Sequence, residues 1–312
     1  MAQTKLHQIL LLLFLSSIVY AKLEERVNWD SKLYVDHPLV GEIWSSKTEE
    51  FLSVEDLEEA FLDASYLILG EKHDNPDHHA LQLSIIKHLI EGNQLSILAF
   101  EMMDSDSQEL LDNIQAERLE SLDAVKEYLD WDVEGWEWSF YGPLIMAAYE
   151  FGVPMAGSNI TSSRMMEIYS LRALPPEINI LKEETMQQLN LDIDETHCGL
   201  LPESQFPAMV RVQQGRDYSM SQSLGSKDSG AIKVLIAGNY HARRDLGVPN
   251  YLMADNPDLV AEEIVSISLM EVDPSEMEPK VYLQQHGETS PYDYIWFTPA
   301  ISEKDYCASL RQ

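Results

Sequence analysis

Short apolar runs alternate with longer amphipathic stretches from about residue 66 to residue 297, which leaves few architectures open. A strand that is apolar throughout must be covered on both faces, and the intervening helical stretches supply that cover. Tyr66-Leu67-Ile68-Leu69 is such a run, closed by Gly70. Asn75 then provides a helix N-cap and Pro76 the first helical position, with Leu81, Ile85 and Leu89 at helical spacing up to Gly92-Asn93. A second strand is expected from Ser96 to Phe100, ended by Glu101, followed by an amphipathic helix from Ser107 to about Leu129. Val153 to Gly157, Lys233 to Ala237, Ile264 to Val272 and Tyr294 to Phe297 read as further strands, and Val281 to Gln284 as a weaker one. Between about 163 and 225 no strand pattern occurs; Met165, Met166, Leu171, Met186, Leu189, Met209 and Val212 fall among polar residues, as in helices. The expectation is an α/β fold: three-layer α/β/α with a mostly parallel central sheet and a helical insertion at about 163–225.

The chain starts with a lone charge at Lys5, an apolar run from Ile9 to Val19, and small-residue cleavage signals before Lys22, which together read as a secretory leader over residues 1–21. The run is shorter than the roughly 20 residues of a membrane span, and no neighbouring cysteine could carry lipid. Residues 22–312 are therefore expected to be exported, periplasmic or secreted, as one domain without stable membrane insertion. The formal charge of −32, from 53 acidic against 21 basic residues spread along the chain, argues against nucleic acid and anionic lipid, which need a basic face. Cys198 and Cys307 are the only cysteines, and export would allow them one disulfide tying the tail to the body.

Three strands end in side chains that do chemistry: Gly70-Glu71-Lys72-His73, Phe100-Glu101 and Gly238-Asn239-Tyr240-His241. Ligands of open parallel sheets bind outside the carboxyl ends of the strands, so Glu71, His73, Glu101 and His241 should converge. Each glycine suits a backbone that needs positive φ or close approach to a ligand. Two imidazoles and a carboxylate (His73, His241, Glu101) suit a divalent ion such as manganese, cobalt or zinc, with Glu71 as general base. His78 and His79 open a helix, where protonation is disfavoured, so at least one is expected to stay neutral and serve as ligand or hydrogen-bond partner. Arg243 and Arg244 either hold a ligand carboxylate or make ordinary salt bridges. The aromatics from Trp131 to Tyr149 either line a flat apolar ligand such as a porphyrin or pack the core. Tyr141 and Tyr240 are the candidate phenolate donors to a haem iron.

The run from Leu69 to His79, with Gly-Glu-Lys-His-Asp-Asn-Pro-Asp-His-His, and that from Ile236 to Pro249, with Gly-Asn-Tyr-His-Ala-Arg-Arg-Asp-Leu-Gly-Val-Pro, resemble the ChaN-like haem-binding uptake family of the Tiki/TraB superfamily. Weaker supporting pieces are Phe100-Glu101-Met102, His197-Cys198-Gly199 and Gln213-Gln214-Gly215-Arg216-Asp217 with Met220. The resemblance covers about Val35 to Cys307 and implies haem binding, iron uptake and a homodimer sharing a cofacial haem pair. Iron would then be ligated by a tyrosine or histidine near the crevice, and the propionates would lie on Arg243 or Arg244. The related Tiki branch implies a metal-dependent protease, with His73, Glu101 and His241 at the positions of its motif residues. Tyr240 stands where the family commonly has glycine, and the lipoprotein cysteine of some members is missing. The leading expectation is thus a haem-binding uptake protein. A divalent-metal-dependent hydrolase is the alternative, and a binding protein with a lapsed catalytic site is a third.

Overall fold

The structure is a computed structural model that describes residues 23, 26, 28–227, 230–285, 287–303 and 307; the expected leader lies outside these residues. Eight strands, β1 (Ile43–Ser45), β2 (Glu50–Leu52), β3 (Tyr66–Glu71), β4 (Leu95–Asp104), β5 (Met155–Asn159), β6 (Ile232–Gly238), β7 (Ile264–Glu271) and β8 (Tyr294–Thr298), form one sheet. Their order is β2-β1-β8-β7-β3-β6-β4-β5. The six from β8 to β5 run parallel, while β1 and β2 extend the β8 edge antiparallel.

Side-chain alternation divides the core into two layers, one on each side of the sheet. Leu67 and Leu69 of β3 join Phe100, Val234 and Ile236 in a cluster closed by the helices Pro76–Glu91 and Trp138–Phe151. Tyr66 and Ile68 point the other way, with Ala99, Leu235 and Ala237, onto Met220 and Leu224 of the Phe206–Leu224 helix. The fold is thus the expected three-layer one, and the 163–225 stretch is helical, as Ser162–Ser170, Glu183–Thr196 and Phe206–Leu224.

Local chemistry sets the element boundaries. The Asn75 side chain accepts from the Asp77 N–H and Pro76 opens the helix, as the sequence indicates. Asp77, in the same turn, accepts from the N–H groups of Asp30 and Ser31 and from Arg26, all at 2.7–3.1 Å, and so ties down the segment that precedes the first strand. Some elements differ from expectation. The stretch from Ser107 to Leu129 is not one helix: Gln108–Asn113 and Leu122–Tyr128 are separated around Glu117, and Ser121 caps the second through the Ala124 N–H. Val281 to Gln284 is not a strand, because Pro279 opens a helical turn, Pro279–Tyr282. β4 runs past Glu101 to Asp104. Cys198 and Cys307 are joined by a disulfide.

Candidate functional site

The three motif-bearing strands are neighbours in the order β3-β6-β4. Register pairs Glu71 with Gly238 and Phe100 with Ile236, so the strands finish level and their last side chains meet at one rim. Glu71, His73, Glu101 and His241 line a crevice there of about 470 Å³. The glycines of the two motifs act by close approach; neither has positive φ. A Cβ on Gly238 would stand 2.9 Å from His73 Nε2, and one on Gly70 would stand 2.9 Å from Ala242 Cβ.

His241 sits in a buried chain of charge. Its Nδ1 lies 2.6 Å from Asp217 Oδ1 and its Nε2 3.3 Å from Glu101 Oε1, while Glu101 Oε2 accepts the Gly238 N–H at 2.7 Å. Burial disfavours the imidazolium, but carboxylates on both sides win and raise the His241 pKa to about 10. Burial would likewise raise Glu101, but the His241 charge, His73 and the Gly238 N–H hold it down to about 2. Asp217 is raised, by burial first and by the Glu101 charge, against the pull of His241 and Gln213. Gln213 donates to Asp217 Oδ2 from one turn earlier on the same helix.

Glu71 anchors a second group. Tyr141 donates to Glu71 Oε1 at 2.6 Å, and His73 Nδ1 stands 3.0 Å from the same oxygen. Burial lowers the His73 pKa, but Glu71 and Glu101 outweigh it and leave the imidazole above its ordinary value. Below it, His79 donates from Nε2 to the His73 carbonyl (3.0 Å) and stacks on Phe140 with centroids 4.6 Å apart. Its Nδ1 comes within 3.2 Å of Glu71 Oε2, but the pair is not aligned for a hydrogen bond.

These placements commit several of the candidate side chains to partners within the protein. His78 is fully buried, with Nδ1 accepting the Lys72 N–H and Nε2 donating to Thr298 Oγ1, so neither nitrogen is left for iron. Tyr141 is also fully buried, its hydroxyl committed to Glu71. Arg243 forms a two-point pair with Asp245, and Arg244 binds Asp293 and the Ile264 and Ala261 carbonyls; both brace the fold. Of the aromatics, Trp131 and Tyr141 belong to the core cluster and Trp136, Trp138, Phe140 and Tyr149 pack against it. A divalent ion on His73, Glu101 and His241 finds no support: among the described residues no three His, Cys, Asp or Glu side chains are grouped to hold one.

Tyr240 is placed differently. It borders the crevice and also an apolar pocket of about 640 Å³ walled by Met165, Met166, Tyr169, Leu189, Met209 and Val212. Its hydroxyl donates to Asp192 Oδ2 at 2.7 Å, and burial, then Asp192, raises its pKa. His197 and Arg216 reach the same pocket. His197 donates its Nδ1–H to the Ile193 carbonyl at 2.7 Å, leaving Nε2 as the lone-pair nitrogen. Asp192, His197, Arg216 and Asp217 escape a search confined to strand ends because they sit on the helices Glu183–Thr196 and Phe206–Leu224 or just beyond. For that face the sequence offers the i, i+4 spacing of Gln213 and Asp217 and the two weaker motif pieces, His197-Cys198-Gly199 and the run from Gln213 to Asp217.

Comparison with known proteins places this geometry. Among solved structures, ChaN of Campylobacter jejuni, described with cofacial haem binding, is similar over 81% of this chain and 95% of its own, at 24% identity and a TM-score of 0.64. The erythromycin esterase EreC (12% identity, 86% of this chain and 82% of its own, TM-score 0.44) is more remote. So is RRSP, a toxin effector domain from Vibrio vulnificus (16% identity, 64% and 33%, TM-score 0.39). No curated protein matches the sequence. A family model for haem-binding uptake proteins of the Tiki superfamily matches residues 57–252, and the chain belongs to that family, ChaN.

Proposed function

We propose that this protein binds haem for uptake of its iron, with the porphyrin in the apolar pocket and Tyr240 as the iron ligand. The observation that carries the reading is Tyr240 itself, which joins a methionine-rich pocket to a half-buried carboxylate, Asp192. The pocket's size, about 640 Å³, falls in the range of roughly 300–1,000 Å³ usual for small-molecule sites. Its donor set suits haem: apolar walls for the ring, and a phenol and an imidazole lone pair for the iron. Haem supplies a ferric ion that a phenolate can bind. Asp192, already the acceptor of the Tyr240 hydroxyl, is placed to take the proton which that bond displaces. Met166, 61% exposed at the pocket's edge, leaves an apolar lip on which a second copy could close over a cofacial pair.

Titration of the purified protein with ferric haem, followed by visible absorption, tests this reading. Wild type and Tyr141→Phe should give the same saturable tyrosinate-type spectrum. Tyr240→Phe should lose the charge-transfer band and weaken binding at least tenfold. An unchanged Tyr240→Phe spectrum would assign the iron to another residue.

A further inference from the structure

Arg216 is the cation of the apolar pocket. It lies on the Phe206–Leu224 helix, half-buried, among Met165, Met166 and Met209. In a chain of 53 acidic and 21 basic residues, Arg26, Arg164, Arg243 and Arg244 each pair with a carboxylate at 2.6–2.7 Å, while Arg211, on the same helix as Arg216, turns to the Tyr169 carbonyl. Arg216 has no such pair among the described residues. Its Nη2 meets the Met165 sulfur at 3.8 Å, and its Nε is buried without a hydrogen-bond partner. Two acids are near: Asp217, next in the chain, is turned to His241, and Asp192, in the pocket wall, accepts from Tyr240 and Gln188.

A half-desolvated guanidinium facing apolar walls is unfavourable until an anion reaches it, and there a charge-assisted bond is worth more than in water. The occupant this favours is an apolar body with a carboxylate at its edge. Small hydrated anions gain nothing from the methionine walls.

Resting on the haem reading, we propose that Arg216 captures a haem propionate, the role that the sequence offers to Arg243 and Arg244. The partner is then chosen by a two-part match, ring against methionines and carboxylate against guanidinium.

Ferric haem and its dimethyl ester, whose propionates carry no charge, separate the two ideas when titrated into wild type, Arg216→Gln and Arg216→Lys. Wild type should bind haem roughly 10- to 100-fold more tightly than the ester, the range expected for one charge-assisted contact. Arg216→Gln should bind both with the wild-type affinity for the ester, and Arg216→Lys should recover part of the preference. Equal binding of haem and ester by wild type, or full haem affinity in Arg216→Gln, overturns the assignment and leaves the haem reading standing. Binding of neither compound by wild type ends both. Should Arg216→Gln not fold, the wild-type comparison and Arg216→Lys decide the matter.

Discussion

Alanine at Gly70 should damage both stability and ligand binding through a single contact. The added methyl would lie 2.5 Å from Asn239 Oδ1, 2.9 Å from Ala242 Cβ and 3.1 Å from Asn239 Cα. Asn239 cannot swing aside cheaply, because its Nδ2 donates to the Leu269 carbonyl (2.8 Å) and its Oδ1 accepts from Ser268 (2.7 Å). The Asn239–Ala242 helix must therefore retreat from β3 by several tenths of an ångström or lose those bonds. Overpacking costs roughly 1–3 kcal/mol, and each lost hydrogen bond adds about 1 kcal/mol. A total of about 2–4 kcal/mol should lower the melting temperature by roughly 5–10 °C in a protein of this size. The displaced helix carries Tyr240, so its 2.7 Å bond to Asp192 loosens and haem affinity falls together with stability. Urea unfolding and haem titration of Gly70→Ala measure both effects, and Gly70→Ala/Ala242→Gly should restore part of each by removing the 2.9 Å clash. Wild-type stability in Gly70→Ala, or no rescue by Ala242→Gly, would refute the close-approach explanation of the motif glycine.

His241→Ala should cost about 3–5 kcal/mol at neutral pH, because Glu101 and Asp217 would be left buried without their cation. Its raised pKa sets a sign: the stabilisation is fully present below the unfolded histidine value, near 6.5, and is lost as pH rises through about 10. Glu101 behaves oppositely, contributing above the ordinary carboxyl range and losing its contribution as pH falls toward about 2. Urea midpoints from pH 4 to 10 should therefore fall at the alkaline end in wild type; a flat alkaline limb would contradict the ion chain. Asp77→Ala should release the segment around Arg26 to Ser31 and cost roughly 1–3 kcal/mol, read as new protease sensitivity there.

Most of the sheet was legible because β3, β6, β7 and β8 are apolar runs bounded by turn residues, and strand-end logic brought Glu71, His73, Glu101 and His241 to one rim. β1 and β2 were not, since three residues carry too little pattern to separate from loop. The expected ligand roles of His78 and Arg244 depend on partners that spacing does not reveal. Thr298 lies 220 residues from His78, and Asp293 lies 49 from Arg244. Arg216 shows the converse, a cation that looks ordinary in sequence and becomes informative only when the neighbouring acids, Asp192 and Asp217, are seen committed to other partners.

The bridge between Cys198 and Cys307 fastens the chain one residue beyond His197, at the pocket's wall. A thiol pair closes only where an oxidant is present. The wall therefore carries a covalent tie that a reductant would undo, and a reduced copy should have a looser mouth to the pocket.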